Sequence, residues 1–190
     1  YLTIDANIQK YVTQEAEKVR KEKEAKSVSI ILINPQNGEI YAMADLPEYN
    51  LNEPFTLVGN EDENVEFSQE ALNQMWRNSC VNDTYEPGST FKIITACAGL
   101  EEEVVNENDR FSCPGYRMVE DRKIRCHKTG GHGSETFKEG IMNSCNPVFM
   151  DIGARLGVEK MYENYEKLGL FEKTGVDLPG EASSIMHKKE

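Results

Sequence analysis

Ser89-Thr90-Phe91-Lys92 places a hydroxyl and an amine one helical turn apart. A free serine hydroxyl is a poor nucleophile, and a base must take its proton as it attacks a carbonyl. Lysine is such a base only when neutral. With an ordinary pKa of about 10.4, fewer than about one lysine in a thousand is neutral near pH 7, so the chemistry requires a Lys92 whose charge is disfavoured by burial or by neighbouring cations. A second polar pair, Ser144 and Asn146, lies in Ser144-Cys145-Asn146-Pro147. Facing Ser89 from another loop, Ser144 would pass a proton to a leaving amine, and Asn146 would hold a substrate amide or Lys92. The same pair reads equally as a helix cap before a proline turn, and the two uses are compatible. Cys145 between them is expected to point the other way and to be structural.

The elements that must carry these groups follow from local signals. Pro87-Gly88 cannot sit inside a helix, whereas residues 89–100 read as an apolar helix starting at Ser89, with Lys92 on the same face. Cys97 in that helix reads as a small core residue. Upstream, Asp5 caps a helix running to about Lys26, with Ile8, Val12, Ala16 and Val19 as its apolar stripe. Residues 28–34 and 39–44 read as strands joined by the turn Pro35-Gln36-Asn37-Gly38. Residues 45–66, with Glu61-Asp62-Glu63, read as a solvated loop, followed by a short helix over 68–77. Glu101-Glu102-Glu103 reads as a helix exit. Downstream, residues 111–125 suggest a hairpin turning between Val119 and Arg122, and Gly130-Gly131-His132-Gly133 a loop. Helices are expected from Phe137 to the Ser144 segment, from Val148 to Leu156 before Gly157, and from Val158 to Leu168; residues 169–181 read as loop. The fold class is α/β in the α+β sense, an antiparallel sheet with helices packed on it, in a single domain without internal repeats.

Composition narrows the partners. A formal net charge of -12 leaves no basic face for phosphates, which argues against nucleic acid, and an anionic lipid surface would repel the chain. No apolar run approaches the roughly 20 residues needed to span a bilayer, and Tyr1 opens on Leu2-Thr3-Ile4 without a signal sequence, so any anchor is expected to lie outside these residues.

Cys113, Cys126 and His132 form a second constellation. In a hairpin centred between Val119 and Glu120, the two cysteines would lie opposite each other, and the glycine loop would return His132 toward both. Two thiolates and an imidazole are the soft ligands of a closed Zn²⁺ site. Cys80, Asp109 or water would be the fourth ligand, and the sequence does not choose among them. A Cys113–Cys126 disulfide or two unlinked thiols are the alternatives, since five cysteines cannot all pair. His127, next to Cys126 in a strand, should face the opposite side.

Ser89-Thr90-Phe91-Lys92 followed by Ser144-Cys145-Asn146 matches the serine-x-x-lysine and serine-x-asparagine elements of the penicillin-binding proteins. The flanking runs extend the likeness. Leu2-Thr3-Ile4-Asp5-Ala6-Asn7-Ile8-Gln9, Asp83-Thr84-Tyr85-Glu86-Pro87-Gly88, His132-Gly133 and Thr174-Gly175-Val176-Asp177-Leu178-Pro179-Gly180-Glu181 resemble the transpeptidase domain of class B penicillin-binding proteins, above all the sporulation and division members of Gram-positive bacteria. The resemblance implies the penicillin-binding transpeptidase or serine β-lactamase-like fold. It also implies a D,D-transpeptidase that cross-links peptidoglycan stem peptides ending in D-Ala-D-Ala through an acyl-enzyme at Ser89. β-Lactams would be trapped at the same serine. The enzyme would stand on the outer face of the cytoplasmic membrane and work with wall-synthesis partner proteins. A β-lactamase, a β-lactam sensor and a non-catalytic division or sporulation scaffold are the alternatives. The family's third element, a Lys-Thr-Gly strand after Ser144, is expected to be missing. Lys128-Thr129-Gly130 precedes Ser144, and Lys173-Thr174-Gly175 runs into Pro179-Gly180, which is unsuited to an edge strand. Residues 1–190 therefore read as the N-terminal portion of one transpeptidase domain.

Overall fold

The Asp5 carboxylate accepts from the backbone N–H groups of Asn7 and Ile8, both at 2.9 Å, and so opens helix α1 (Ala6–Glu22). A computed structural model describes residues 1–58 and 68–187. The Glu61-Asp62-Glu63 run falls outside the described residues. The chain divides into two compact units, Tyr1–Thr84 with Gly175–Ala182, and Tyr85–Thr174 with the residues from Ser183 onward.

In the first unit, β1 (Val28–Ile33) and β2 (Ile40–Leu46) pair antiparallel, with an irregularity between Leu32 and Ile33 that accommodates the turn. Alternation holds in β2, where Ala42, Ala44 and Leu46 are buried. Ala16 of α1 packs on Ala44 and Leu46, with Val12, Val28 and Ile30 around them. Gln9 fastens the helix to the strand as a short extra ladder, its amide donating to Met43 O at 2.9 Å and its carbonyl accepting from Met43 N–H at 2.8 Å. The helix stops short of Lys26 because Glu24 turns into the left-handed region at φ 50°. Two short helices follow, α2 (Gln69–Met75), capped by Ser68, and α3 (Ser79–Asn82).

The second unit carries the residues singled out for chemistry. A 3-10 turn (Gly88–Phe91) leads into α4 (Lys92–Glu101), so the α-helix begins at Lys92 and not at Ser89 as expected. α4 buries Thr95, Ala96, Ala98 and Gly99, which leaves Cys97 on its outer face, exposed and not in the core as read from the sequence. Further on come β3 (Arg110–Cys113), β4 (Tyr116–Val119), β5 (Arg122–Arg125), β6 (Gly133–Thr136), α5 (Phe137–Met142) and α6 (Asn146–Lys167). α6 breaks at Gly157 (φ 72°), so the two helices expected on either side of that glycine are present as two limbs. Phe111, Phe137, Val148, Phe149, Ile152 and Leu156 make the core. Among the described residues no helix is long and apolar enough to cross a membrane.

The hairpin over 111–125 is replaced by two separate ladders. β3 pairs with β6, Cys113 lying opposite Gly133, while β4 pairs with β5, Val119 lying opposite Arg122. Glu120 adopts φ 53°, so Glu120-Asp121 form the turn and the register centre moves one residue beyond the expected one. Cys113 and Cys126 are therefore not cross-strand partners. The chain leaves β3 through Pro114-Gly115, where the backbone runs against the loop after β5. A Cβ on Gly115 (φ 92°) would stand 2.2 Å from Thr129 O, and one on Gly131 (φ 79°) 2.1 Å from Cys113 O. Replacing Gly131 with alanine should lower stability by about 1–3 kcal/mol, read as a lower midpoint of denaturant unfolding at unchanged slope. An unchanged midpoint would show that the two backbones are free to separate.

Candidate active site and cysteine cluster

Side chains at i and i+3 eclipse in a 3-10 turn, and the backbone N–H of Lys92 donates to Ser89 O. Ser89 and Lys92 thus share a face for a reason more local than helix periodicity. Ser89 is exposed; Lys92 is partly buried. The Lys92 ammonium donates to Ser144 O at 2.7 Å, Ser144 Oγ at 3.0 Å and Asn146 Oδ1 at 2.6 Å, with the Phe149 ring 5.5 Å away. Burial pushes the Lys92 pKa below its ordinary value, against an opposing pull from Cys126 and Cys145 if these are thiolates.

Local geometry explains why Ser144 and Asn146 reach one target. α5 starts with a capping box, Thr136 and Glu139 satisfying each other's backbone N–H groups, and ends at Met142. Ser144 then takes a left-handed conformation (φ 47°), which reverses the chain before Asn146-Pro147 opens α6. Lys92 meets both the carbonyl and the hydroxyl of Ser144. The Asn146 amide nitrogen donates to Arg125 O at 2.9 Å, fixing which way its oxygen points.

Cys145, between the two residues that hold Lys92, is fully buried. It does not merely fill the core. Its sulfur, those of Cys113 and Cys126 and a ring nitrogen of His132 all lie within 4.8 Å of one another. Tetrahedral ligands of Zn²⁺ at ordinary bond lengths stand roughly 3.5–3.8 Å apart, a spacing this set reaches with a small contraction. The three cysteines are unlinked. Cys145 thus occupies the fourth place for which Cys80, Asp109 and water were the sequence candidates. The Cys80 thiol faces Ala44 O within the first unit, and Asp109 is held by Arg155 at 2.8 Å. His127 also departs from expectation. β5 ends at Arg125, so strand alternation no longer governs it, and its ring lies 5.2 Å from that of His132.

The thiols are in unlike surroundings. Burial raises the Cys126 pKa, but the backbone N–H groups of Lys128 and Asn146 and the neighbouring thiols outweigh it, and the net shift is downward. Cys145 is driven far upward, by burial first and by the Glu135 carboxylate next. Glu135 carries no signal in the sequence, and the strand it stands on, β6, is not among the elements expected.

Of the two Lys-Thr-Gly triplets, Lys128-Thr129-Gly130 lies in the loop between β5 and β6, and Lys173-Thr174-Gly175 in irregular chain after α6. Neither lies on a strand.

A 3-10 turn bearing Ser89, a partly buried lysine behind it and a serine-x-asparagine loop gripping that lysine have the makeup of a serine acyltransferase site of the penicillin-binding kind. The chain belongs to the penicillin binding protein transpeptidase domain family, whose family model matches residues 28–190. It is 36% identical over 190 residues to Stage V sporulation protein D of Bacillus subtilis (strain 168), covering 100% of this chain and 27% of that protein. It is 30% identical over 192 residues to Peptidoglycan D,D-transpeptidase MrdA of Acinetobacter baumannii, again covering 100% of this chain and 27% of the relative. The crystal structure of Pseudomonas aeruginosa PBP2 in complex with WCK 5153 matches with a TM-score of 0.74 at 27% identity, over 98% of this chain and 41% of that one. The α+β fold is therefore that of penicillin-binding transpeptidases. The chain spans 27% of the length of the two curated relatives.

Proposed function

We propose that the protein is a serine D,D-transpeptidase of peptidoglycan synthesis, acting through an acyl-enzyme on Ser89. The observation that carries this reading is the threefold grip of Ser144 and Asn146 on the Lys92 ammonium, beside a serine on the same face. Neutral Lys92 takes the Ser89 proton as Oγ attacks the carbonyl of the penultimate D-alanine of a stem peptide. As the tetrahedral adduct collapses, the Ser144 hydroxyl delivers a proton to the departing D-alanine amine and takes one in turn from the Lys92 ammonium that donates to its Oγ, which leaves Lys92 neutral again. An amine from a neighbouring stem then attacks the ester and restores Ser89. A β-lactam carbonyl enters at the same point and leaves the serine acylated. The enzyme works on the outer face of the bacterial cytoplasmic membrane with other wall-synthesis proteins, and Ser89→Ala in the full-length protein tests the reading. Intact mass after exposure to a penicillin should rise by one drug molecule in the wild type and not in the variant; acylation of the variant would refute it.

Because the Lys92 pKa is lowered, its neutral fraction at a given pH exceeds that of a free lysine. The acylation rate should rise tenfold per pH unit below that pKa and level off above it, the inflection falling below the ordinary lysine value. A profile flat across the neutral and alkaline range would remove Lys92 as the base. These 190 residues alone, with neither Lys-Thr-Gly triplet on a strand, are expected to label poorly with a fluorescent penicillin. Loss of one oxyanion-hole donor costs about 10²–10³ in rate, and robust labelling of the short chain would show that the groups present suffice.

Cys113, Cys126, His132 and Cys145 are a structural Zn²⁺ site in this reading. Three sulfurs and one imidazole nitrogen fit the donor preference of that ion, and the set is closed, leaving the chemistry to Ser89 and Lys92.

A further inference from the structure

Glu135 on β6 is a buried carboxylate that the proposed reaction does not use. It is 2% exposed. Its Oε2 accepts from the Asn143 amide at 3.0 Å, while Oε1 has no hydrogen-bond partner among the described residues. Leaving a buried acceptor unmet costs about 1–3 kcal/mol, more for a charged one, so the unmet oxygen needs a donor that arrives with function. Oε1 lies 3.8 Å from His132 Nδ1, and both side chains are almost wholly buried.

We propose that Glu135 is the outer-sphere partner of the cysteine and histidine cluster, accepting the Nδ1–H of His132, the nitrogen that faces it, when Nε2 binds the metal. The inference rests on the metal reading above. A neutral imidazole that gives one nitrogen to a cation keeps a single N–H, which needs an acceptor and whose acceptor sets the tautomer and ring orientation. Within reach of His132 there is a carboxylate oxygen with no other hydrogen bond. Glu135 is not itself part of the four-atom set. Three thiolates already outweigh the charge of a divalent ion, so a directly bound carboxylate would add repulsion in a buried place, whereas an outer-sphere one is offset by the N–H it receives. Asn143 at the end of α5 holds the other oxygen and keeps the carboxyl from turning away. Glu135 is thus a positioning residue for His132, with no part in the acyl chemistry.

The test measures Zn²⁺ affinity of the full-length protein by competition with a chromophoric chelator, for the wild type, Glu135→Leu, Glu135→Asp and Glu135→Gln. Outer-sphere partners are worth about 10–100-fold in metal affinity, and Leu, which has no acceptor, should lose that much. Asp, which keeps the charge but withdraws the oxygens by one methylene, should also bind more weakly, and it carries the test if the Leu variant does not fold. Gln retains an acceptor oxygen and should restore most of the affinity. In Co²⁺-loaded protein the visible ligand-field bands of the Gln variant should superimpose on those of the wild type, while those of the Asp and Leu variants shift. On a His132→Ala background, Glu135→Leu should cost nothing further. Wild-type affinity in both the Leu and Asp variants, or an undiminished loss on the His132→Ala background, would overturn the proposal and leave the metal site standing. A wild-type protein that binds neither Zn²⁺ nor Co²⁺ would overturn the metal site and the proposal together.

Discussion

Replacing Lys92 with methionine in the full-length protein should slow acylation of Ser89 by about 10²–10⁴, the usual contribution of a positioned general base. Methionine keeps the length and apolar stem of the side chain, so core packing against Phe149 is largely retained while three hydrogen bonds vanish. Stopped-flow or gel-based acylation with a fluorescent penicillin reads the rate. Thermal unfolding run alongside separates lost chemistry from lost structure. Ser144→Ala should behave differently. It removes one of the three acceptors around the ammonium and the hydroxyl proposed to protonate the leaving amine, but leaves the Ser144 carbonyl in place, so its defect should be smaller than that of the lysine variant. If the methionine variant acylates at the wild-type rate, the proton leaves Ser89 by another route, and the grip on Lys92 is a packing feature.

Stripping the proposed Zn²⁺ from the cysteine cluster, or replacing Cys145 with serine, should produce the second large effect. A ligand at 1,000 times its dissociation constant stabilises the folded state by about 4 kcal/mol. At about 2–4 °C per kcal/mol for a domain of this size, chelation should lower the melting temperature by roughly 10 °C, and added Zn²⁺ should restore it. The loss should reach the active site, because Cys145 sits between the two residues that hold Lys92, and Asn146 is bonded to the carbonyl just before Cys126. Acylation should therefore slow in the chelated protein and recover on reloading. Metal analysis of protein purified without chelator is the direct measurement. Protein lacking zinc and lighter by the two hydrogens of a disulfide would replace the metal with a cross-link among these thiols.

Much of the candidate site is legible in the residue order because it is local. The relation of Ser89 to Lys92 depends on a single turn, and Pro87-Gly88 limits what that turn can be; even with a 3-10 turn in place of the first helical turn, the two side chains share a face. The same holds for the Asp5 cap and for the break at Gly157, each set by one residue and its immediate neighbours. The alternation through Ser144-Cys145-Asn146 is legible too, and it sets Cys145 apart from the two residues that hold Lys92. What it faces is not contained there.

The cysteine cluster shows where local reading ends. Cys113 and Cys126 are sequence candidates on their chemistry, but the shared hairpin read for them is not the geometry found. Register depends on which residues form the turn. With Glu120 in the left-handed region the ladder shifts by one residue, and with Pro114-Gly115 between β3 and β4 the two cysteines belong to different ladders altogether. Cys97 became exposed through the rotation of α4 about its own axis, which the packing of Ala96, Ala98 and Gly99 determines. By itself the sequence determined the family, the candidate nucleophile and base, and the residue types able to bind a soft cation, all of which rest on side-chain chemistry and contacts within a few residues. Only the tertiary structure decided that Cys145 completes the cluster and that Glu135 stands behind His132. Those contacts join segments whose approach depends on strand register and on backbone close enough to require glycine at 115 and 131, and no short stretch of chain carries that information.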